Sequence, residues 1–428
     1  MPTPQHHLHP VPNDQSLLFR ITCLCHQITP STTLVPLLQS LSGGLCPSTQ
    51  QWFLHTCLAD PLASKFPRGL NYEYKLLRAV VVAAEADGHA LHEDLMEAFA
   101  SMLLQSNSKP SSPVEEEFTL KIFAYGPPLL FPSHSGSNTS SIPRADSLFN
   151  ATGTVTATQI QTKSTATQGI LALHISRDVL SGGTGHWAWE AGFFLSEFIL
   201  NHPHLFTNAF CLELGSGVGM AGVCLERVGA TRVVLTDANT EALANCQRNI
   251  DINNDICHSS CCGGSRGVEK GVIDVVRLQW EDGADEIIDK YGSVPSIIVA
   301  ADVLYDPNNV APFVAIVKEF LKRGTTAVYV ATIQRNETTM QVFIDYVRAE
   351  VELHMEEVVV SCQECYNDGG GSDGDAADDA LRTREKGGIR FYHMDALEAA
   401  RPRLLLHKMS LAIHPLQRQQ QHHERCIT

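Results

Sequence analysis

The run Phe210-Cys211-Leu212-Glu213-Leu214-Gly215-Ser216-Gly217-Val218-Gly219-Met220-Ala221-Gly222 reads as a strand, a glycine turn and the start of a helix. Its first five residues are apolar but for one acid, which suits a short buried strand. Glycine at 215, 217 and 219 lets the backbone turn tightly and approach a ligand, because no Cβ intervenes. Helical spacing then holds over 220–228. Asp237 closes the next strand-like run, 232–236, about 20 residues beyond the turn, where an acid can bond two ribose hydroxyls. Together these place a nucleoside-bearing cofactor at the carboxyl ends of the strands.

Outward from this stretch, strands and helices alternate. Helices are expected over 191–200, 240–250, 312–322 and 340–350, and strands over 273–279, 297–301 and 326–333. The alternation predicts an α/β fold: a Rossmann-like, mostly parallel sheet with helices on both faces. The apolar runs 356–361 and 404–413 would close its edge, with 389–393 competing for one of those places. Upstream, 170–175 reads as a strand, 154–160 as its hairpin partner, and 118–125 as a local strand. Leu76, Val80, Val81 and Ala84 share one helical face, as do Leu95, Phe99 and Leu103, with Asp87-Gly88 between the two runs. The expected organisation is a tail over 1–15, a small α-helical domain over 16–105 and a Ser/Pro/Gly-rich linker over 106–150. The main domain follows over 151–415, with inserts at 257–271 and 361–388, then a tail over 416–428.

Composition narrows the function. The chain has 428 residues, 44% hydrophobic, enough for a sizeable core and against wholesale disorder. Lys plus Arg number 31 against 47 Asp plus Glu, a formal charge of −16. Phosphate-rich nucleic acid and an anionic membrane surface would both be repelled, so neither is expected as a partner. A basic protein segment is compatible with that charge. No run approaches the ~18 apolar residues of a membrane span, and no signal peptide is seen, the first Lys or Arg being Arg20. The odd count of 13 cysteines suits a reducing compartment, so a cytoplasmic protein is expected, with a monomer favoured.

The glycine pattern leaves two cofactor classes open, since Gly217-x-Gly219-x-x-Gly222 also satisfies the dinucleotide fingerprint. Three features tilt away from NAD. Glu213 can hold a cationic amine, whereas a pyrophosphate gains nothing from it. A long helical region and a Trp-rich element precede the turn. The fourth strand ends in Ala300-Ala301-Asp302-Val303-Leu304-Tyr305. Leu-Glu-Leu-Gly-Ser-Gly-Val-Gly, followed by Asp237 and Ala-Asp-Val-Leu-Tyr, resembles the seven-β-strand, class I S-adenosylmethionine methyltransferases. The likeness is to the branch with an Asp-x-x-Tyr motif after strand four, whose members mostly methylate lysine in proteins. Gly183-Thr184-Gly185-His186-Trp187-Ala188-Trp189-Glu190-Ala191 resembles the entry element of that branch, with Trp187 and Glu190 departing from its usual residues. The likeness is good over about 180–350, partial over 70–105 and absent in the inserts.

That resemblance implies a protein-lysine methyltransferase using S-adenosylmethionine on a protein substrate, with translation elongation factor 2 expected. It implies that Trp189, Gly215, Ser216, Gly217, Asp237, Trp280 and Ala301 line the cofactor, with Glu213 and Gly219 completing the turn. Asp302 would orient the ε-amine and Tyr305 would wall the lysine channel. Deprotonating a lysine at pH 7 costs roughly 5 kcal/mol, which desolvation and the nearby sulfonium would offset. Blander readings stand beside these: Asp302 as a helix cap, Trp189 as core, Glu213 as a buried acid satisfied by its neighbours. An NAD(P)-dependent oxidoreductase and a non-catalytic cofactor-binding module are the alternative functions. Cys362-x-x-Cys365 lacks a matching second pair, so no metal is expected.

Overall fold

The computed structural model describes residues 15–106, 118–127, 168–176, 183–260, 271–360 and 388–412. Among the described residues the strands, in chain order, are β1 (Phe118–Gly126), β2 (Gly169–Ser176), β3 (Phe210–Leu214), β4 (Arg232–Asp237) and β5 (Val272–Arg277). They continue with β6 (Ile297–Ala301), β7 (Ala327–Ile333), β8 (Leu353–Glu357), β9 (Arg390–Phe391) and β10 (Leu404–Leu411). Two compact units result. One takes in Met1–Trp187, Arg248–Gly267 and Gly387–Met394, the other Ala188–Gln247, Val268–Lys386 and Asp395–Thr428.

The second unit is built on a seven-stranded sheet of order β5-β4-β3-β6-β7-β10-β8. β5, β4, β3, β6 and β7 are parallel, and β10 runs antiparallel to both β7 and β8. A single reversed strand next to the edge of an otherwise parallel sheet is the class I methyltransferase arrangement. The strand period of two puts helices on both faces. Val234, Val328 and Val330 point into a core with Ile287, Val310, Phe313, Val317, Phe320 and Phe343 from the helices Asp285–Tyr291, Val310–Arg323 and Glu337–Ala349. Their neighbours Leu235 and Tyr329 point the other way. Leu235 meets the helix Met220–Arg227 so closely that a Cβ on Gly222 would lie 2.4 Å from Leu235 Cδ2. Tyr329 packs its ring 5.2 Å from that of Phe198, on the helix Glu190–Asn201. That helix also carries buried Glu197, held by the two Arg401 nitrogens Nη1 and Nη2 at 2.9 and 3.0 Å.

The first unit packs the helices Gln15–His26, Ser31–Gln39, Pro47–Phe53, Leu70–Ala86 and Glu93–Ser106 around Ile21, Leu34, Leu38, Phe53, Leu76, Val80 and Leu95. Asp60 caps the short helix Pro61–Lys65 by accepting from Ala63 N. Leu76, Val80, Val81 and Ala84 are buried as the periodicity expects, but Leu103 faces solvent because the second helix buries Leu95 instead. The same unit holds a three-stranded sheet of order β2-β1-β9.

This sheet departs from the sequence reading in three ways. The partner of 170–175 is β1, paired from Phe118↔Ser176 to Tyr125↔Gly169; the expected partner, 154–160, lies outside the described residues. The strand 118–126 is thereby drawn out of the region read as linker, because long-range pairing overrides local composition. Finally, 389–393 does not compete for the large sheet: β9 pairs with β1.

The free edge of β2 is closed by side chains. Asn249 Oδ1 accepts from His174 N at 2.7 Å, and Asn253 Oδ1 accepts from Ala172 N at 3.2 Å. Each amide also donates back, to His174 O at 3.3 Å and Ala172 O at 2.7 Å. Residues four apart on a helix rise about 6 Å and residues two apart on a strand about 6.8 Å, so two asparagines on one helix face match two strand positions. Hence the helix expected to stop at 250 runs over Thr240–Ser260, into the segment read as an insert. The cysteine pair 362/365, the rest of the inserts and both tails lie outside the described residues.

Candidate active site

The order of the large sheet reverses between β3 and β6, and the crevice beyond their carboxyl ends is where open α/β sheets bind ligands. The glycine turn leaves β3 and Asp302 leaves β6, so both open onto this crevice.

Gly215, Gly217 and Gly219 take φ values of 70, 49 and 77°, where side chains are disfavoured. A Cβ on Gly215 would sit 2.6 Å from Val303 Cγ1 and 3.9 Å from Trp280 Cζ2. The turn therefore lies against the loop after β6 and against the indole after β5, three elements meeting at one place. Trp280 is held edge-on against buried Phe313, ring centroids 5.3 Å apart. Ser216 N donates to Thr236 O at 2.8 Å, and Gly217 N to Asp237 Oδ2 at 3.1 Å, which ties the turn to the end of β4. Asp237 Oδ1 accepts from Asn239 N at 3.0 Å, and Asn239 Oδ1 accepts from Glu241 N and Ala242 N at the start of the next helix. The acid is thus fixed in place by its own turn.

Glu213 lies beneath the turn, 3% exposed. Burial pushes its carboxyl up to about 8, opposed by a backbone hydrogen bond from Gly222 and assisted by the charge of Asp237. Its Oε2 is buried without a hydrogen-bond partner. A carboxyl so placed is a ready acceptor for a cationic group, and it would ionise on meeting one.

Asp302 is buried at 6% and has φ 54°, a left-handed conformation that costs a non-glycine residue about 1–2 kcal/mol. Its N–H donates to Ala331 O at 2.9 Å on β7. It caps no helix: Asp306 accepts from Asn308 N at the turn that follows. Its carboxylate is met by Arg335, with Nη1 2.8 Å from Oδ1 and Nη2 2.8 Å from Oδ2. Burial raises the Asp302 carboxyl above the usual range, with the hydrogen bonds and charge of Arg335 pulling the other way. The same guanidinium lies 4.8 Å over the Trp189 ring and has Nη2 3.6 Å from Glu190 Oε2.

The structure thus brings Gly215, Ser216, Gly217, Gly219, Asp237 and Trp280 to one turn, with Glu213 beneath it. Ala301 ends β6 opposite Ala331. Trp189 and Asp302 are joined through Arg335, while Tyr305 stands 54% exposed on the same loop. Arg335 escaped the sequence reading. Its signal was a lone cation two residues past a buried strand, at the end of the sheet where the acids gather.

Known proteins resemble this region over part of their length. Residues 169–349 match the lysine methyltransferase family. The parallel order of the sheet and the glycine turn are in keeping with that match. An uncharacterized protein of Dictyostelium discoideum is 32% identical over 171 residues, 37% of this chain and 48% of its own. The human protein-lysine N-methyltransferase EEF2KMT is 27% identical over 181 residues, 41% of this chain and 53% of its own. Mouse methyltransferase-like protein 22 is 33% identical over 135 residues, 28% of this chain and 32% of its own. The chain spans about half the length of the first two relatives and about a third of the last.

Proposed function

We propose that the chain is an S-adenosylmethionine-dependent protein-lysine N-methyltransferase, acting in the cytoplasm on translation elongation factor 2. The observation that carries the reading is the buried Glu213 carboxyl, its Oε2 without a hydrogen-bond partner, beneath a glycine cradle, with Asp237 fixed beside it. That pair of acceptors suits a cofactor with a ribose at one end and a cationic amine at the other. A dinucleotide would bring its pyrophosphate anion toward the same acid.

Gly215, Ser216 and Gly217 would hold the cofactor's backbone-facing side, Asp237 its ribose, Trp280 its base and Glu213 its amine. Bound there, S-adenosylmethionine supplies an electrophilic methyl carbon on a sulfonium. Methyl transfer asks the protein mainly for proximity and alignment. Asp302 accepts a hydrogen bond from the incoming ε-amine and aims it, and Tyr305 flanks its path. Desolvation of the amine as it docks, with the sulfonium charge beside it, would favour the neutral amine that attacks, its proton leaving to water. Elongation factor 2 as acceptor rests on the sequence resemblance and is supported by the likeness to EEF2KMT.

The cofactor class is tested by thermal shift with S-adenosylhomocysteine and with NAD. S-adenosylhomocysteine should raise Tm in wild type and not in Asp237→Ala. A shift with NAD and none with the nucleoside would overturn the assignment.

A further inference from the structure

Asp302 cannot be left alone. It is buried, held in a strained turn and 33 residues from the cation that meets it, across the β6–β7 pairing. A carboxyl in such surroundings protonates unless a cation stands by. Arg335 supplies one with both terminal nitrogens, the paired geometry that fixes a carboxylate's plane as well as its charge. The guanidinium is itself steadied from two further directions, by the Trp189 ring below and Glu190 beside it. It remains 39% exposed, on the open side of the acid.

We propose that Arg335 is a positioning residue that holds Asp302 ionised and aimed while the lysine channel is empty. This rests on the reading of Asp302 as the acid that receives the lysine ε-amine. The incoming ammonium then meets a carboxylate already charged and oriented, and a carboxylate's four lone-pair sites leave room for one more donor beside the two Arg335 nitrogens and the Ile333 N–H. The groups that face Asp302 are Arg335 from the segment after β7, Glu190 from the helix Glu190–Asn201 and the backbone N–H of Ile333. Of these only Arg335 is a cation, so the charge state of Asp302 turns on it.

The test is a carboxyl-carbon NMR titration of the full chain labelled with ¹³C-aspartate and saturated with S-adenosylhomocysteine. The resonance missing in Asp302→Asn identifies the group. Arg335→Gln should move its midpoint up by about 1–3 pH units, and Arg335→Lys should restore most of the difference. Glu190→Gln, which removes the facing anion, should move it down, and it keeps the test available if Arg335→Gln does not fold. A midpoint that ignores all three substitutions overturns the proposal. The titration needs no methyl acceptor, so its failure is distinct from failure of the methyltransferase reading, which labelled-methyl transfer by wild type decides. A purely structural role for Arg335 would lower stability without moving the midpoint.

Discussion

Glu213→Gln should change the sign of its effect on stability with pH. In the folded protein the carboxyl is pushed up to about 8 from its ordinary 4.5, chiefly by burial. A group whose folded value is raised contributes stability that is fully present below the unfolded value and is lost as pH rises through the folded one. Wild type should therefore lose stability between pH 4.5 and about 8 and level off above that. At about 1.4 kcal/mol per pH unit the loss is about 5 kcal/mol. Gln is isosteric and cannot ionise, so it escapes that loss. Its amide nitrogen would sit where Oε2 has no partner, at a fixed cost of about 1–3 kcal/mol. Near pH 5 the variant should be the less stable by about 1–3 kcal/mol, and at pH 9 the more stable by about 2–4. Urea unfolding followed by tryptophan fluorescence at both pH values measures this. A difference between the two proteins that does not vary with pH would refute the claim that Glu213 is buried and neutral before the cofactor arrives. The stabilised variant should also bind S-adenosylhomocysteine more weakly, a trade common at functional sites.

Other positions test other joints of the structure. Gly219→Ala forces a side chain to φ 77° with its Cβ 2.6 Å from Cys246 Sγ, and should cost about 2–4 kcal/mol in urea unfolding and weaken S-adenosylhomocysteine binding. Asn253→Ala strips Ala172 of its N–H and C=O partners, which should cost about 2–4 kcal/mol in the same assay, while Asn253→Asp, keeping the acceptor, should cost less. Arg401→Met removes the guanidinium that pairs with buried Glu197 and should lower stability by about 3–5 kcal/mol; adding Glu197→Leu should recover most of it.

What was legible in the sequence was what is local. The β3 strand, glycine turn and following helix were readable because each signal sits within one turn of the next. Helices such as Val310–Arg323 were readable because one apolar stripe fills a core: Val310, Phe313, Val317 and Phe320 all fall on it. What was hidden depends on distant partners. β1 looked like a strand fragment in a linker until β2, over 40 residues later, paired with it. Asn249 and Asn253 are polar residues with no local signal, yet they are buried because they complete a strand edge. Arg335 meets Asp302 only because β6 and β7 are neighbours, and nothing local announces that pairing. In the site, the turn, Asp237 and the Asp302 loop could be read as a motif. The cation that governs Asp302 could not.

Methyl transfer itself tests the proposed activity most directly. Purified full-length chain, elongation factor 2 and S-adenosylmethionine carrying a labelled methyl are incubated together, and the label is located by mass spectrometry. Wild type should place label on a lysine ε-nitrogen, and Asp302→Ala should do so at a rate lower by about 100-fold while still binding S-adenosylhomocysteine. Wild type that transfers no label to any protein, or Asp302→Ala that labels as well as wild type, would contradict the proposal.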